Sequence, residues 1–224
     1  MKLLILYILL LGALSRLPNQ VRKPTKWVGR FFLWLMNLSH SRLTDWGLQH
    51  LTIEKRFTIL DVGCGGGRTI EKLAALATEG QVYGVDYAKG SVAASRERNA
   101  RLIQAGQVEI REASVSQLPF ADNQFDLVTA VETQYYWPAP VTDMQEILRV
   151  LKPGGNLIVV AESYNRGRPE KLQRPVMKFL KIAHLSVHEQ RELFATAGYK
   201  NIQVFEEQKR GWICAIGAKR NGAD

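Results

Sequence analysis

Apolar and polar positions along this 224-residue chain switch repeatedly between two periods. Phe57 to Val62 (FTILDV) is a short, β-branched apolar run, the pattern of a buried strand. Arg68 to Leu76 follows with apolar residues at helical spacing. Val82 to Asp86 (VYGVD) predicts a second strand, and Ser91 to Leu102 a polar helix with Val92, Ala93 and Ala100 facing inward. Val108 to Arg111 and Phe125 to Val131 (FDLVTAV) predict the third and fourth strands. Val141 to Val150 reads as a helix stopped by the KPGG breaker around Pro153, and Asn156 to Ala161 (NLIVVA) as a fifth strand. Ser186 and Glu189 form a capping-box pair that opens another helix, ended by Gly198. Two closing strands are predicted at Ile202 to Phe205 and Gly211 to Gly217. Strands alternating with helices predict an α/β protein built on a parallel sheet, covered by helices on both faces. No internal repeat or low-complexity tract interrupts the alternation.

The junction ILDVGCGGGRTIEKLA, Ile59 to Ala74, carries the first chemical signal. The strand ends at Asp61-Val62, glycines occupy positions 63, 65, 66 and 67, and the next helix starts near Arg68. Glycine permits positive φ and close approach of a ligand to the backbone, and a helix N-terminus presents unpaired N–H groups. A dinucleotide G-x-G-x-x-G from Gly63 fails, because position 68 is arginine. A P-loop fails for want of Gly-Lys-Ser/Thr. What remains is D-x-G-x-G-x-G, with a carboxylate, Asp61, suited to a cationic amine. Asp86 ends the next strand, where an acid accepts hydrogen bonds from both ribose hydroxyls and repels a 2′-phosphate. Ribose and an amino acid within one ligand point to S-adenosyl-L-methionine.

Charge changes the picture at the N-terminus. Residues 1–56 hold nine Lys/Arg and two acids, so seven of the chain's nine net positive charges sit in its first quarter. A nucleic-acid enzyme would carry that charge across its catalytic face. The uncharged run from Leu3 to Ser15 has 13 residues, against the ~20 needed to cross a hydrocarbon core. Trp27, Phe31, Trp34 and Leu38 share one side of a helix in WVGRFFLWLMNL. Apolar runs flanked by Arg and Lys fit a segment lying in a membrane interface. A helix covering a pocket of the main domain, or a signal peptide, fits the same residues. The expected organisation is a helical arm over residues 1–35 and a catalytic domain over 36–220. Two distant cysteines, Cys64 and Cys214, suggest neither a zinc site nor a disulfide framework. They suit a reducing, cytoplasmic setting, with peripheral contact to the inner membrane face through the arm as the membrane alternative.

The segments ILDVGCGGG, VYGVD, SQLPFADNQFDLV and ILRVLKPGG, in this order, resemble the successive motifs of class I S-adenosylmethionine-dependent methyltransferases. They are most similar to the small-molecule branch that includes ubiquinone and menaquinone C-methyltransferases, over about residues 40 to 218. The resemblance implies a doubly wound, Rossmann-like, seven-stranded sheet with an antiparallel last strand. It implies that Asp61, Gly63 and Gly65 hold the methionine end and Asp86 the ribose, with Cys64 and Tyr87 beside them in the cofactor set. Ser114 stands where the family usually has an aspartate at the adenine amine, and Val115 supplies backbone there. Glu132 and Thr133 would line the methionine chain and the sulfonium.

Transfer of a methyl from a sulfonium mainly requires that the acceptor be positioned and water excluded. After the fourth strand, ETQYYWPAP lacks the Asn/Asp-Pro-Pro-Tyr-like sequence of methylases acting on nucleobases or glutamine, which argues against DNA and protein-glutamine substrates. Tyr135, Tyr136 and Trp137 form an expected aromatic wall for a sulfonium methyl or an apolar or cationic acceptor. His40 is a candidate base, and Tyr135 and Tyr136 are candidate catalytic residues. The basic segment 163–185 could receive an anionic acceptor or lipid head group. The leading expectation is a methyltransferase acting on a small molecule, plausibly lipid-like, without a metal. A non-catalytic cofactor-binding module at a membrane, and an RNA methyltransferase, stand as alternatives.

Overall fold

A computed structural model describes residues 41–162 and 185–221. His40, the arm and most of the basic segment 163–185 lie outside the described residues. The element order is α1 (41–48), β1 (Thr58–Val62), α2 (Arg68–Leu76), β2 (Gln81–Asp86), α3 (Lys89–Arg98), α4 (Ala100–Gln104) and β3 (Val108–Glu112). It continues with β4 (Phe125–Val131), a 3₁₀ turn (Gln134–Tyr136), α5 (Pro140–Val150), β5 (Leu151–Glu162), α6 (Val187–Ala197), β6 (Lys200–Glu207) and β7 (Trp212–Ala218).

The seven strands form one sheet in the order β3-β2-β1-β4-β5-β7-β6. β1 to β5 run parallel with their neighbours, whereas β7 is antiparallel to both β5 and β6. The sheet therefore has the doubly wound layout with an antiparallel last strand. The strand order reverses between β1 and β4, the point at which open α/β sheets form a ligand crevice beyond the carboxyl ends of their strands.

Two apolar layers explain why the strands read as nearly continuous hydrophobic runs. On one face, Leu60, Val62, Phe125, Val128, Met144, Ile147, Phe194 and Tyr199 pack together. On the other, Leu43, Ile59, Ile70, Leu73, Val82, Leu127, Ile158 and Cys214 do so. The α1 helix lies against β5 through Gly47, where a Cβ would stand 2.4 Å from Val160 Cγ2.

Two boundaries differ from the periodicity. The strand β5 starts at Leu151 and runs through KPGG, rather than starting at Asn156. Leu151 pairs with Phe125 and Asn156 with Leu127, so the glycines are absorbed in a register shift. Gly154 N–H donates to Lys219 O at 3.0 Å, and Lys219 N–H donates to Gly155 O at 2.8 Å. The predicted 91–102 helix begins at Lys89 and breaks at Asn99. There the Asn99 amide donates to Gly67 O at 3.0 Å and to Ser95 O at 2.9 Å.

Candidate functional site

The glycine loop leaves β1 and is fastened to β2. Gly63 N–H and Cys64 N–H both donate to Val85 O, at 2.8 and 3.0 Å. Gly63, Gly65 and Gly67 have φ of 74°, 51° and 79°. Their reasons differ. A Cβ on Gly63 would sit 2.2 Å from Thr133 Oγ1, and one on Gly67 2.4 Å from Ser95 Oγ. Among the described residues, a Cβ on Gly65 would meet nothing nearer than Gly63 O at 4.0 Å. Two of these glycines thus allow the loop to pack against its own protein, whereas no described residue fills the space over Gly65.

Asp86 fixes that open residue. Its Oδ2 accepts Gly65 N–H at 3.0 Å and its Oδ1 accepts Ala88 N–H at 2.8 Å. A carboxylate has about four acceptor directions, and with Ser91 as a third donor one remains for a ligand hydroxyl. Burial raises the Asp86 pKa, and the bonds from Ala88, Gly65 and Ser91 oppose that rise. Tyr87, the next residue, is 43% exposed at the same edge.

Asp61 is buried beneath the loop, and its Oδ1 accepts Thr129 Oγ–H at 2.6 Å. Burial pushes its carboxyl up to about 7; the Thr129 bond lowers it and the charge of Asp86 raises it. A buried acid held near neutrality beside a second acid is an arrangement that a cationic ligand group would relieve. Cys64 turns its thiol inward, 3.8 Å from Ser95 Oγ, and burial holds the thiol protonated. Ser114 is exposed, and its hydroxyl accepts Ser116 N–H at 3.2 Å; Val115 is buried in the core.

Across the crevice, β4 ends in a strained residue. Glu132 has φ 58°, in the left-handed region that a side-chain-bearing residue seldom occupies. Tyr135 Oη–H donates to Glu132 Oε2 at 2.5 Å, and Glu162 N–H donates to Glu132 Oε1. The residue is partly exposed, but its carboxyl is enclosed, which pushes it up to about 7. Burial holds the Tyr135 phenol protonated, well above its ordinary range. The Tyr135 and Tyr136 rings meet edge to face at 4.6 Å. Trp137 departs from the expected wall and turns into the core. Glu162 and Trp212 escaped notice in the sequence: Trp212 Nε1–H donates to Glu162 Oε1 at 3.3 Å, and Trp46 approaches Trp212 at 5.8 Å. The available signal was that β5, like β2, ends in an acid.

The crevice thus joins an open glycine, two acids beneath and beside it, and an aromatic-acidic rim. Those residues fit S-adenosylmethionine: Gly65 leaves a cradle, and the acids match its ammonium and its ribose diol. Among the described residues, no group of three or more His, Cys, Asp or Glu could hold a metal ion.

Residues 60–159 match the methyltransferase domain family. An O-methyltransferase from Penicillium expansum is 32% identical over 150 residues, covering 65% of this chain and 53% of that relative. A demethylmenaquinone methyltransferase from Bacillus licheniformis is 32% identical over 125 residues, covering 55% and 53%. The chain spans about half the length of these curated relatives. An N-methyltransferase from Haemonchus contortus, solved with phosphomonomethylethanolamine and S-adenosylhomocysteine, superposes with a TM-score of 0.76 at 14% identity, covering 91% of this chain and 60% of that one. The matched segment is similar to a methyltransferase domain, and the fold around it is shared with solved S-adenosylmethionine-dependent methyltransferases.

Proposed function

We propose that this chain transfers a methyl group from S-adenosylmethionine to a small-molecule acceptor. The observation that carries the reading is the open face of Gly65, held by Asp86 at the point where the strand order reverses. The bound cofactor supplies a methyl on a sulfonium, already attached to a good leaving group. The protein's own residues bind, orient and exclude water. Asp61, Gly63, Cys64 and Gly65 form the floor under the methionine end. Asp86 holds the ribose hydroxyls and Tyr87 flanks them. Ser114 and Val115 border the adenine, and Glu132 and Thr133 border the methyl-bearing end. Tyr135 and Tyr136 face the acceptor, and His40 is a further candidate catalytic residue.

An apolar or lipid-like acceptor is supported by the aromatic rim and by the composition of the arm. In this reading residues 1–35 contact the inner face of a membrane peripherally, and 36–220 are the catalytic domain. Among the described residues, no helix is long and apolar enough to cross a membrane. The relatives include an O-methyltransferase and a demethylmenaquinone methyltransferase, which supports a small molecule without choosing its atom.

The test is transfer of labelled methyl from S-adenosylmethionine into a cell extract split into lipid, small-molecule, nucleic-acid and protein fractions. Label in the lipid or small-molecule fraction is expected. Label confined to nucleic acid would replace the reading with RNA methylation. Cofactor binding with no label anywhere would leave a non-catalytic binding module. Deleting residues 2–26 is expected to release the protein from anionic vesicles, and an unchanged bound fraction would remove the membrane contact.

A further inference from the structure

We propose that Gln190 of α6 and Gln134 of the 3₁₀ turn are a positioning pair, which sets the direction in which Tyr135 and Tyr136 meet the acceptor. This role rests on the methyl-transfer reading above and deepens it: the acceptor side of the site takes its shape from α6 and not from the glycine loop.

Both glutamines are buried, Gln134 at 8% exposure and Gln190 at 4%. Gln190 Nε2–H donates to Gln134 Oε1 at 3.0 Å, across 56 positions of chain. Gln134 Nε2–H points at Met144 Sδ of α5, 3.8 Å away. A thioether sulfur accepts and does not donate, so the Gln134 NH₂ group faces Met144 and its carbonyl is left for Gln190. One side-chain amide thus ties the 3₁₀ turn to two helices. Gln190 departs from the apolar pattern around it, since it shares the buried face of α6 with Phe194 and Ala197. A leucine would bury there without a partner, whereas a buried amide costs free energy until it is bonded. The bond therefore offsets its own burial, and what it adds is direction more than stability. The helix that supplies it is fixed at its start: Ser186 Oγ accepts Glu189 N–H at 3.2 Å, and Glu189 Oε2 accepts Ser186 N–H at 2.7 Å.

The turn converts that anchor into ring direction. A 3₁₀ helix has 3.0 residues per turn, so three successive side chains project about 120° apart. With Gln134 committed inward to α5 and α6, the other two directions belong to Tyr135 and Tyr136, both partly buried. Tyr136 N–H donates to Thr133 O at 2.9 Å and Trp137 N–H to Gln134 O at 3.1 Å, which closes the turn. Trp137 then enters the core beside Met144 and Ile147. The turn is pinned at Gln134 and at Trp137, and the two tyrosine rings between those pins touch edge to face. Rotation of the turn about its axis would move both rings together, and the bond to Gln190 opposes that rotation.

The cofactor side has separate supports. Among the described residues, the bonds of the Gln134 and Gln190 side chains go to each other and to Met144, and none goes to the glycine loop or Asp86. Methyl transfer depends chiefly on where the acceptor sits relative to the methyl group, and misplacement by about 1 Å can cost roughly 10²-fold in rate. A fault in this pair should therefore appear in transfer and not in cofactor binding.

The experiment compares wild type, Q190L, Q134L and the double variant Q134L/Q190L in three readouts. Each single variant leaves one buried amide without its partner and is expected to melt below wild type. The double variant replaces both amides by apolar groups of similar size and is expected to recover most of that loss. S-adenosylhomocysteine affinity by calorimetry is expected to stay within about threefold of wild type in all three, which also shows that they fold. Labelled methyl incorporation into the small-molecule and lipid fractions of the extract, at saturating S-adenosylmethionine, is expected to fall about 10–10²-fold in all three and not to recover in the double variant. Recovery of both melting temperature and incorporation in the double variant would reduce the pair to a packing element. A loss of affinity equal to the loss of incorporation would place its action on the cofactor loop. Either result overturns the positioning role and leaves methyl transfer standing. No incorporation by wild type would overturn methyl transfer itself, and the acceptor role of the pair with it.

Discussion

Three of the glycines between Asp61 and Arg68 do two jobs: Gly63 and Gly67 make room for their own protein, and no described residue fills the space over Gly65. Gly65→Ala places a methyl in open space and accepts only the conformational penalty of φ 51°, roughly 1 kcal/mol. Gly63→Ala carries the same kind of penalty and must also displace Thr133, which adds an overpacking cost of about 1–3 kcal/mol. Gly65→Ala is therefore expected to melt close to wild type while losing at least tenfold in S-adenosylmethionine affinity. Gly63→Ala is expected to lose both stability and affinity. Calorimetry and thermal melts on the pair check this; equal melting losses would remove the distinction. The sequence made the loop legible because the glycines and Asp61 are local. It did not separate Gly65 from Gly63 and Gly67, because the atoms that fill the space come from Thr133, Ser95 and Asn99, 28 to 70 positions away. Glu132 was legible as a site residue, but its bonding to Tyr135 and Glu162 was not, since that depends on a left-handed turn at a residue type that rarely makes one.

At the scale of elements, periodicity located every strand of the sheet and missed where secondary structure is set by a distant partner. KPGG reads as a breaker, yet β5 passes through it because Lys219 pairs with the glycine backbone across the sheet. The break between α3 and α4 at Asn99 likewise has no local cause such as proline. It occurs where one buried amide bonds both its own helix and the glycine loop. That makes Asn99 a link between the second βα unit and the cofactor floor. Asn99→Ala removes two bonds at a buried position and leaves Gly67 O without its side-chain donor, for a loss of about 1–3 kcal/mol. Because Gly67 is the left-handed entry to α2, cofactor affinity is expected to fall with it. Arg149 is the control. It donates to Phe120 O and Leu118 O and pairs with Glu146 and Asp122, clamping the 118–122 loop and, among the described residues, making no bond to the glycine loop. Arg149→Ala is expected to lower the melting temperature with cofactor affinity unchanged. Chemical denaturation together with calorimetry separates the two variants, and unchanged affinity in Asn99→Ala would show that the loop holds its shape without the link.

Over the whole molecule, the crevice stores acids in a state that folding disfavours and a cationic ligand would repair. Asp61 and Glu132 are each raised to about 7 from ordinary values of 3.8 and 4.5, and Asp86 is raised as well. Between the unfolded and folded values, the native state binds more protons than the unfolded chain, so stability falls as pH rises. The stabilisation is complete below about pH 4 and is lost by about pH 7 to 8. Glu146 and Glu189 are lowered and act oppositely, but at more acidic pH, below the unperturbed carboxylate range. His50, lowered by burial, gains stability as pH rises through about 6.5, yet it is only partly enclosed and its contribution is correspondingly small. Free protein is thus expected to melt at a lower temperature at pH 8 than at pH 5. Saturating S-adenosylmethionine should flatten that slope, because its ammonium favours ionised Asp61, and binding at pH 7 should release protons. Asp61→Asn separates the cause from the background: it should gain thermal stability at pH 8 over wild type, lose much of the pH slope, and bind the cofactor at least tenfold more weakly. Scanning calorimetry at the two pH values, with titrations in buffers of different ionisation enthalpy, reads all three quantities. A wild-type melting temperature that stays level from pH 5 to 8, with no proton released on binding, would mean that the acids under the loop are ionised before the cofactor arrives, and the crevice would then be preformed for a cation instead of charged by one.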